Sequence, residues 1–400
     1  MTDTIMFNPL VPGFADNPYP HYREVRDFDP VHEHPLGFWF LSHYDDVALL
    51  LRSGLSVENR NLAEGPVRAQ YDTLADAQGT VSLSMLDRDP PDHTRLRSLV
   101  TKVFTPRAIA ALEPMVAELV DSSLDRIADG GSVNLVDELA FPLPFAVISR
   151  MLGTPPTDNA RLRELSGTLV RSLEVQTDPE VLRAIADAEV RLTEMTREII
   201  AWKRANPADD LLTALITAEE DGDKLSDDEL VAQVLLLYVA GHETTVNLIA
   251  NGVVALLRNP AQLALLRAQP DLAANAVEEF LRYDSPVQQT RRITTAPHTV
   301  RDKEIPAGSF VIACLGSANR DERFWGPDAD ALVLNRPDAH RHVSFGAGPH
   351  HCLGAALARL EGRLAISRLV TRFPNLSLAG DIVWNGRLNL RGATAVPISV

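Results

Sequence analysis

Cysteine is nearly absent. Two residues in 400, Cys314 and Cys352, do not suggest a disulfide framework, which fits a reducing compartment. Basic residues are also in deficit, 38 Lys and Arg against 54 Asp and Glu, for a formal charge of −16. A chain this acidic lacks the basic face of a general nucleic-acid binder, so no nucleic-acid partner is expected. Long apolar runs are missing too: the longest, near 231–240, falls far short of the ~20 residues that span a bilayer. The amino terminus, Met1-Thr2-Asp3-Thr4-Ile5-Met6, has neither the basic start nor the apolar core of a signal peptide. The expectation is a soluble, cytoplasmic protein with no membrane partner. There are no Gly/Ser linkers, charge blocks or internal repeats. One domain over residues 1–400 is therefore expected, although length alone would allow two or three.

What is present is enough for a large core, with 45% of residues hydrophobic. The first part reads as turns with short β-like runs such as Gly37–Leu41. From about Asp92 onward the 3.6-residue period dominates. It predicts helices at His93–Val103, Pro106–Ala128, Leu139–Met151, Asn159–Leu173, Pro179–Ala205, Asp210–Glu219, Leu272–Tyr283 and Leu353 to about Phe373. The clearest runs from Ser226, which forms a capping box with Glu229, to about Arg258, where Asn259-Pro260 stops it. Short strands are expected at Arg292–Thr295 and Ser309–Leu315. The fold class is mainly α with small β-sheets.

The most informative segment is Phe345-Gly346-Ala347-Gly348-Pro349-His350-His351-Cys352-Leu353-Gly354. Three glycines allow tight wrapping around a flat ligand. A helix start behind Cys352 offers amide hydrogens and a positive dipole end that favour a thiolate. Zinc is the alternative reading of His350, His351 and Cys352, but a structural zinc site needs about four ligands, usually in separated pairs, and Cys314 offers no Cys-x-x-Cys partner. The segment resembles the heme-binding signature of the cytochromes P450, Phe-Gly-x-Gly-x-(Arg/His)-x-Cys-x-Gly. All six fixed positions are met, a coincidence on the order of one in 10^8 per starting position. The resemblance implies heme b held by Cys352, between a long central helix and the helix after the cysteine, in a P450 fold of soluble bacterial type.

Within the long helix lies Ala240-Gly241-His242-Glu243-Thr244-Thr245. Interior glycine costs about 1 kcal/mol relative to alanine, which suggests a purpose: a small residue lets a flat ligand lie against the backbone. A hydroxyl can bond the preceding turn and bend the helix. The segment resembles the family's oxygen-activation motif, which implies that Thr244 steadies the oxygen species at the iron and that Glu243 serves proton delivery. His242 reads as structural.

His93 and Arg97 are one turn apart on a common helix face. Their context resembles the family's propionate-binding helix; Arg292, in preference to its neighbour Arg291, and His350 complete the implied set of heme contacts. Glu279 and Arg282 match Glu-x-x-Arg, which implies a structural network closed by Arg336, or alternatively by Arg323. By position in the family pattern, Leu236, Val239, Ala240, Val287 and Leu390 face a hydrophobic substrate, with Gln288 or Asn389 orienting a polar group. The segments at about 60–86 and 165–177 form the entrance. The implied activity is monooxygenation, by hydroxylation or epoxidation in bacterial secondary metabolism, by a monomer. The chain ends soon after its last helix, so electrons are expected from a separate ferredoxin or flavodoxin with its reductase. Arg95, Lys102 and Arg359 would contribute to the docking patch. A heme-binding carrier or sensor, or a peroxide-driven peroxygenase, are the alternatives.

Overall fold

The structure is a computed structural model that describes residues 7–59, 62–63, 68–70, 72–73, 84–102, 104–155, 159–220 and 223–400. Most of the expected entrance segment at about 60–86 lies outside the described residues. The longer helices are α1 (Tyr19–Phe28), α2 (Tyr44–Arg52), α3 (Asp92–Thr101), α4 (Glu113–Gly130), α5 (Pro142–Leu152), α6 (Asn159–Leu169), α7 (Pro179–Ala205), α8 (Asp227–Arg258), α9 (Pro260–Ala268), α10 (Ala273–Tyr283) and α11 (Ala355–Arg372). One sheet is built from β1 (Val31–His34), β2 (Phe38–Leu41), β3 (Gln289–Ile293) and β4 (Phe310–Cys314), in spatial order β1-β2-β4-β3. Its β2–β4 pair is parallel, with Phe38 opposite Phe310, and the outer pairs are antiparallel. A three-stranded sheet joins Ser132–Asn134, Ser377–Leu378 and Pro397–Ser399.

Several boundaries differ from expectation for identifiable reasons. The predicted helix at Pro106–Ala128 breaks into Pro106–Ala110 and α4. Pro114 would remove an interior hydrogen bond, so the chain restarts and places it in a first turn. The predicted Leu139–Met151 helix likewise gives way to a π turn at Val136–Ala140 followed by α5, with Pro142 in its first turn. Pro260, read as a stop, is also the first residue of α9. Helices α1 and α2 were hidden among the turns; α1 buries only the stripe Tyr19, Tyr22, Val25 and Arg26.

Helix α8 organises the rest. The Ser226–Glu229 capping box starts it, with both reciprocal bonds formed, and its 32 residues rise about 48 Å. It is buried on most sides from Leu230 to Leu256, as expected of a helix apolar around its circumference. No single described helix is long and apolar enough to cross a membrane; α8 with α9 would be, but the two meet at a bend of 106°.

Helices α8 and α11 touch where glycines replace side chains. A β-carbon on Gly252 would stand 2.8 Å from Ile366, and one on Gly362 would stand 3.0 Å from Leu248. The contacts are four residues apart on both helices and in the same order, so the two run parallel. Nearer their amino ends Ala240 and Ala356 are exposed amid buried and half-buried neighbours, which we read as a cleft opening between the two helices.

Glu279 of α10 anchors the approach to the cysteine loop. Its carboxylate accepts from Arg282 Nε at 2.7 Å and Nη2 at 2.8 Å, from Arg336 Nε at 3.2 and 3.3 Å, and from the Val333 amide at 2.8 Å. Arg336 is thus the third member, while Arg323 is exposed. Arg282 donates onward to the carbonyls of Asn319, Ala329 and Ala331. Asn319 in turn accepts from the Val343 amide at 2.8 Å and donates to Ser344 at 2.7 Å. A chain of polar contacts therefore runs from α10 to the residue before Phe345.

Two measurements check this account. Glu279→Ala leaves two buried guanidiniums without their carboxylate, and a loss of about 3–5 kcal/mol in denaturant unfolding is expected; a loss below about 1 kcal/mol would show that something else holds them. Glu361 of α11 is buried with neither oxygen hydrogen-bonded among the described residues, and burial pushes its carboxyl well above the ordinary 4.5. The folded state keeps a proton that the unfolded chain releases, so stability falls as pH rises above about 4.5. Glu361→Gln removes that loss. Its stability relative to the parent should rise between about pH 5 and pH 8, whereas a difference independent of pH would refute the protonated state.

Candidate functional site

The cysteine loop is shaped by Gly346 and Gly348, both at positive φ (69° and 68°). A β-carbon on Gly348 would stand 2.6 Å from the Leu51 carbonyl, so the loop lies directly on α2. The Cys352 amide donates to Phe345 O at 2.8 Å and the His351 amide to Gly348 O at 3.1 Å. This turn delays α11, which starts at Ala355 with Gly354 as its cap rather than at Leu353.

Cys352 is enclosed by protein yet keeps accessible surface. Burial pushes its thiol above the ordinary value; the Gly354 amide, Arg97 and Arg359 pull the other way without prevailing. A cation bonded to the sulfur would favour the thiolate against that burial.

Between its end turns, Ala240 is the one exposed residue of α8. Gly241, expected to lie against the flat ligand, turns instead to Ile148 of α5, which a β-carbon there would meet at 3.4 Å. Thr244 Oγ1 donates to Ala240 O at 3.0 Å, the helix-bending bond to the preceding turn. His242 is fully buried. Its Nδ1 meets Tyr238 O at 2.7 Å and its Nε2 meets Ser166 Oγ at 3.1 Å, and burial holds its pKa below the ordinary value. Glu243 pairs with Arg387 Nη1 at 3.3 Å, and Arg387 Nη2 donates to Gly167 O at 2.9 Å. Arg387 was missed from sequence: it lies 144 residues from Glu243 with no motif around it.

His93, Arg97, Arg292 and His350 converge at the rim. The His93 and His350 rings stand 4.2 Å apart, and Arg97 Nη2 donates to His351 O at 2.7 Å. Burial, then the neighbouring His93 and Arg292, push His350 down to about 4. Burial takes Arg292 to about 10, and burial and then Arg97 lower His93. Among the described residues Asp89 is the carboxylate acting on His93, Arg292 and His350, and it already accepts from Ser56 and the Val57 amide. His93 Nε2 has no hydrogen-bond partner among the described residues. An open cleft of about 600 Å³ runs along His93, Arg97 and Thr101 of α3 to Gly348.

Four crowded bases, one unpaired ring nitrogen, a deep accessible sulfur and two alanines on opposed walls fit a flat cofactor with two carboxylates. They fit heme. Arg291 takes no part in the cluster: it leaves β3 in the other direction, towards Leu173 O.

The expected substrate residues divide. Ala240 is exposed; Leu236 and Val287 are partly buried. Val239 lines a void of about 10 Å³ with Leu162, Leu192 and Met195, and Leu390 is buried in a main-chain bridge to Val287. Gln288 is not available to a ligand, since its Nε2 donates to Ser285 O at 2.7 Å and Tyr19 at 3.2 Å. Asn389 Nδ2 reaches Leu173 O at 3.4 Å. In the proposed docking patch, Arg95 is engaged by Glu229 and Asp223. Arg359 is engaged by Glu278, whose carboxyl burial would raise but whose bonds to His342 and Arg359 hold it at about 2.

The family model described as Cytochrome P450 matches residues 176–381. The chain is 42% identical to "Cytochrome P450 107B1" of Saccharopolyspora erythraea, covering 96% of each. It is 41% identical to "Cytochrome P450 monooxygenase PikC" of Streptomyces venezuelae, over 96% of this chain and 91% of that one. Among solved structures it resembles myxobacterial cytochrome P450 CYP267B1 in complex with myristic acid, with TM-score 0.90, 38% identity and 98% of each chain covered.

Proposed function

The chain belongs to the cytochrome P450 family and is a heme b-binding monooxygenase; from that premise we propose that it hydroxylates or epoxidises a hydrophobic organic molecule. The electrons come from a separate ferredoxin or flavodoxin with its reductase. The observation that supports this reading is an accessible Cys352 beside a crowded basic cluster of His93, Arg97, Arg292 and His350.

In this reading Cys352 would hold the heme iron as a thiolate, with the Gly354 amide bonded to the sulfur. His93, Arg97, Arg292 and His350 would hold the heme carboxylates, whose charge would relieve the crowding of like charge among them. Bound in this way, heme supplies dioxygen activation, and a thiolate ligand favours O–O cleavage. Ala240 keeps the α8 wall low enough for a flat ring. The Thr244 hydroxyl, lent to Ala240 O, can turn to donate into the cleft. Glu243, steered by Arg387, would serve proton delivery. Leu236, Ala240 and Val287 supply an apolar wall, in line with the apolar chain bound by the myxobacterial relative.

On reduction under carbon monoxide the protein should show an absorption band at about 450 nm, and Cys352→Ser should lack it. A parent protein without the band would end this reading. Thr244→Ala should keep the band and lose about tenfold or more in product formed per NAD(P)H, the remainder appearing as hydrogen peroxide. Unchanged coupling would remove Thr244 from proton handling.

A further inference from the structure

Arg291 is a buried cation that nothing described so far uses. Neighbouring strand residues point to opposite faces, and Arg292 turns to the rim cluster while Arg291 turns to the segment at 170–174. Its one hydrogen bond is Nη1 to Leu173 O, at 3.4 Å. Four of the guanidinium's five N–H groups have no hydrogen-bond acceptor among the described residues.

The nearby carboxylates are committed elsewhere. Glu174 accepts from the amides of Leu388 and Asn389. Glu243 is held by Arg387, and Asp89 lies on the Arg292 side. Burial lowers the Arg291 pKa, and no carboxylate among the described residues opposes it. The residue is enclosed by protein yet retains accessible surface, as Cys352 does.

Its surroundings are the walls of the substrate chamber. Leu173 O, which Arg291 contacts, also accepts from Asn389 Nδ2, and the Asn389 carbonyl accepts from the Gln288 amide at 2.8 Å. Leu390 bridges Val287, and Arg387 reaches Glu243 on α8. Arg291 thus stands beside Leu173 and opposite Ile312 of β4 in the sheet, with Leu388 packed on the apolar cluster that holds Ile312. A planar fork with free donors in an apolar, enclosed setting is suited to a carboxylate.

We infer that Arg291 anchors the carboxylate of an apolar organic acid, so that the preferred substrates of this chain are monocarboxylates held by the acid end. The inference rests on the monooxygenase reading of the chamber and names its substrate class.

Isothermal titration of the heme-loaded protein with dodecanoate and with dodecanol, at about pH 8, tests it. The parent should bind the acid about ten- to a hundredfold more tightly than the alcohol, the size of one charge-assisted contact. Arg291→Gln should bring that ratio to within about threefold, and Arg291→Lys should restore part of it. A parent with no preference for the acid overturns the inference whatever the variants do, and so does an Arg291→Gln protein that keeps the preference. Turnover is not needed for this ratio. An intact acid preference without oxygen consumption under any electron donor would overturn the monooxygenase reading and leave the anchor standing.

Discussion

Everything about this site depends on two parallel helices that are in contact at one end and apart at the other. Gly252 and Gly362 allow the long central helix and the helix after Cys352 to approach at a distance that side chains would forbid. Fixed there, the helices open towards Ala240 and Ala356, and the opening needs no further device. Packing in one place makes space in another.

Charge then decides what that space accepts. The rim gathers His93, Arg97, Arg292 and His350 around a single, already occupied acid, an arrangement that costs the protein stability until something anionic arrives. The opposite policy holds under the loop, where Glu279 is saturated by Arg282, Arg336 and a main-chain amide. One network is complete; the other lacks a second anion among the described residues. Ligand and scaffold are told apart by whether the ion pairs close.

The sequence was most legible where a motif compresses geometry into a few neighbouring residues. The loop from Phe345 to Gly354, the capping box at Ser226 and the His93–Arg97 spacing could all be read directly, because each acts over one or two turns of chain. Short amphipathic helices such as Tyr19–Phe28 escaped notice, since ten residues give the helical period little room to stand out from turn-forming residues. Gly241 was assigned to the wrong neighbour, because composition identifies a close approach but not its direction; Ile148, not the cleft, occupies that side. The contact of Glu243 with Arg387 joins segments far apart in sequence and has no local signature.

The chamber wall has one more property worth following. Val287 and Leu390 meet through their backbones, Gln288 and Asn389 share a main-chain bond, and Glu174 holds the amides of Leu388 and Asn389. The frame is therefore tied mainly by peptide groups, which every amino acid brings except for proline's missing N–H. Side chains on that frame can be exchanged without untying it. A lineage that duplicated such a chain could retune what it oxidises by drifting at a handful of positions while its heme-bearing half stayed still.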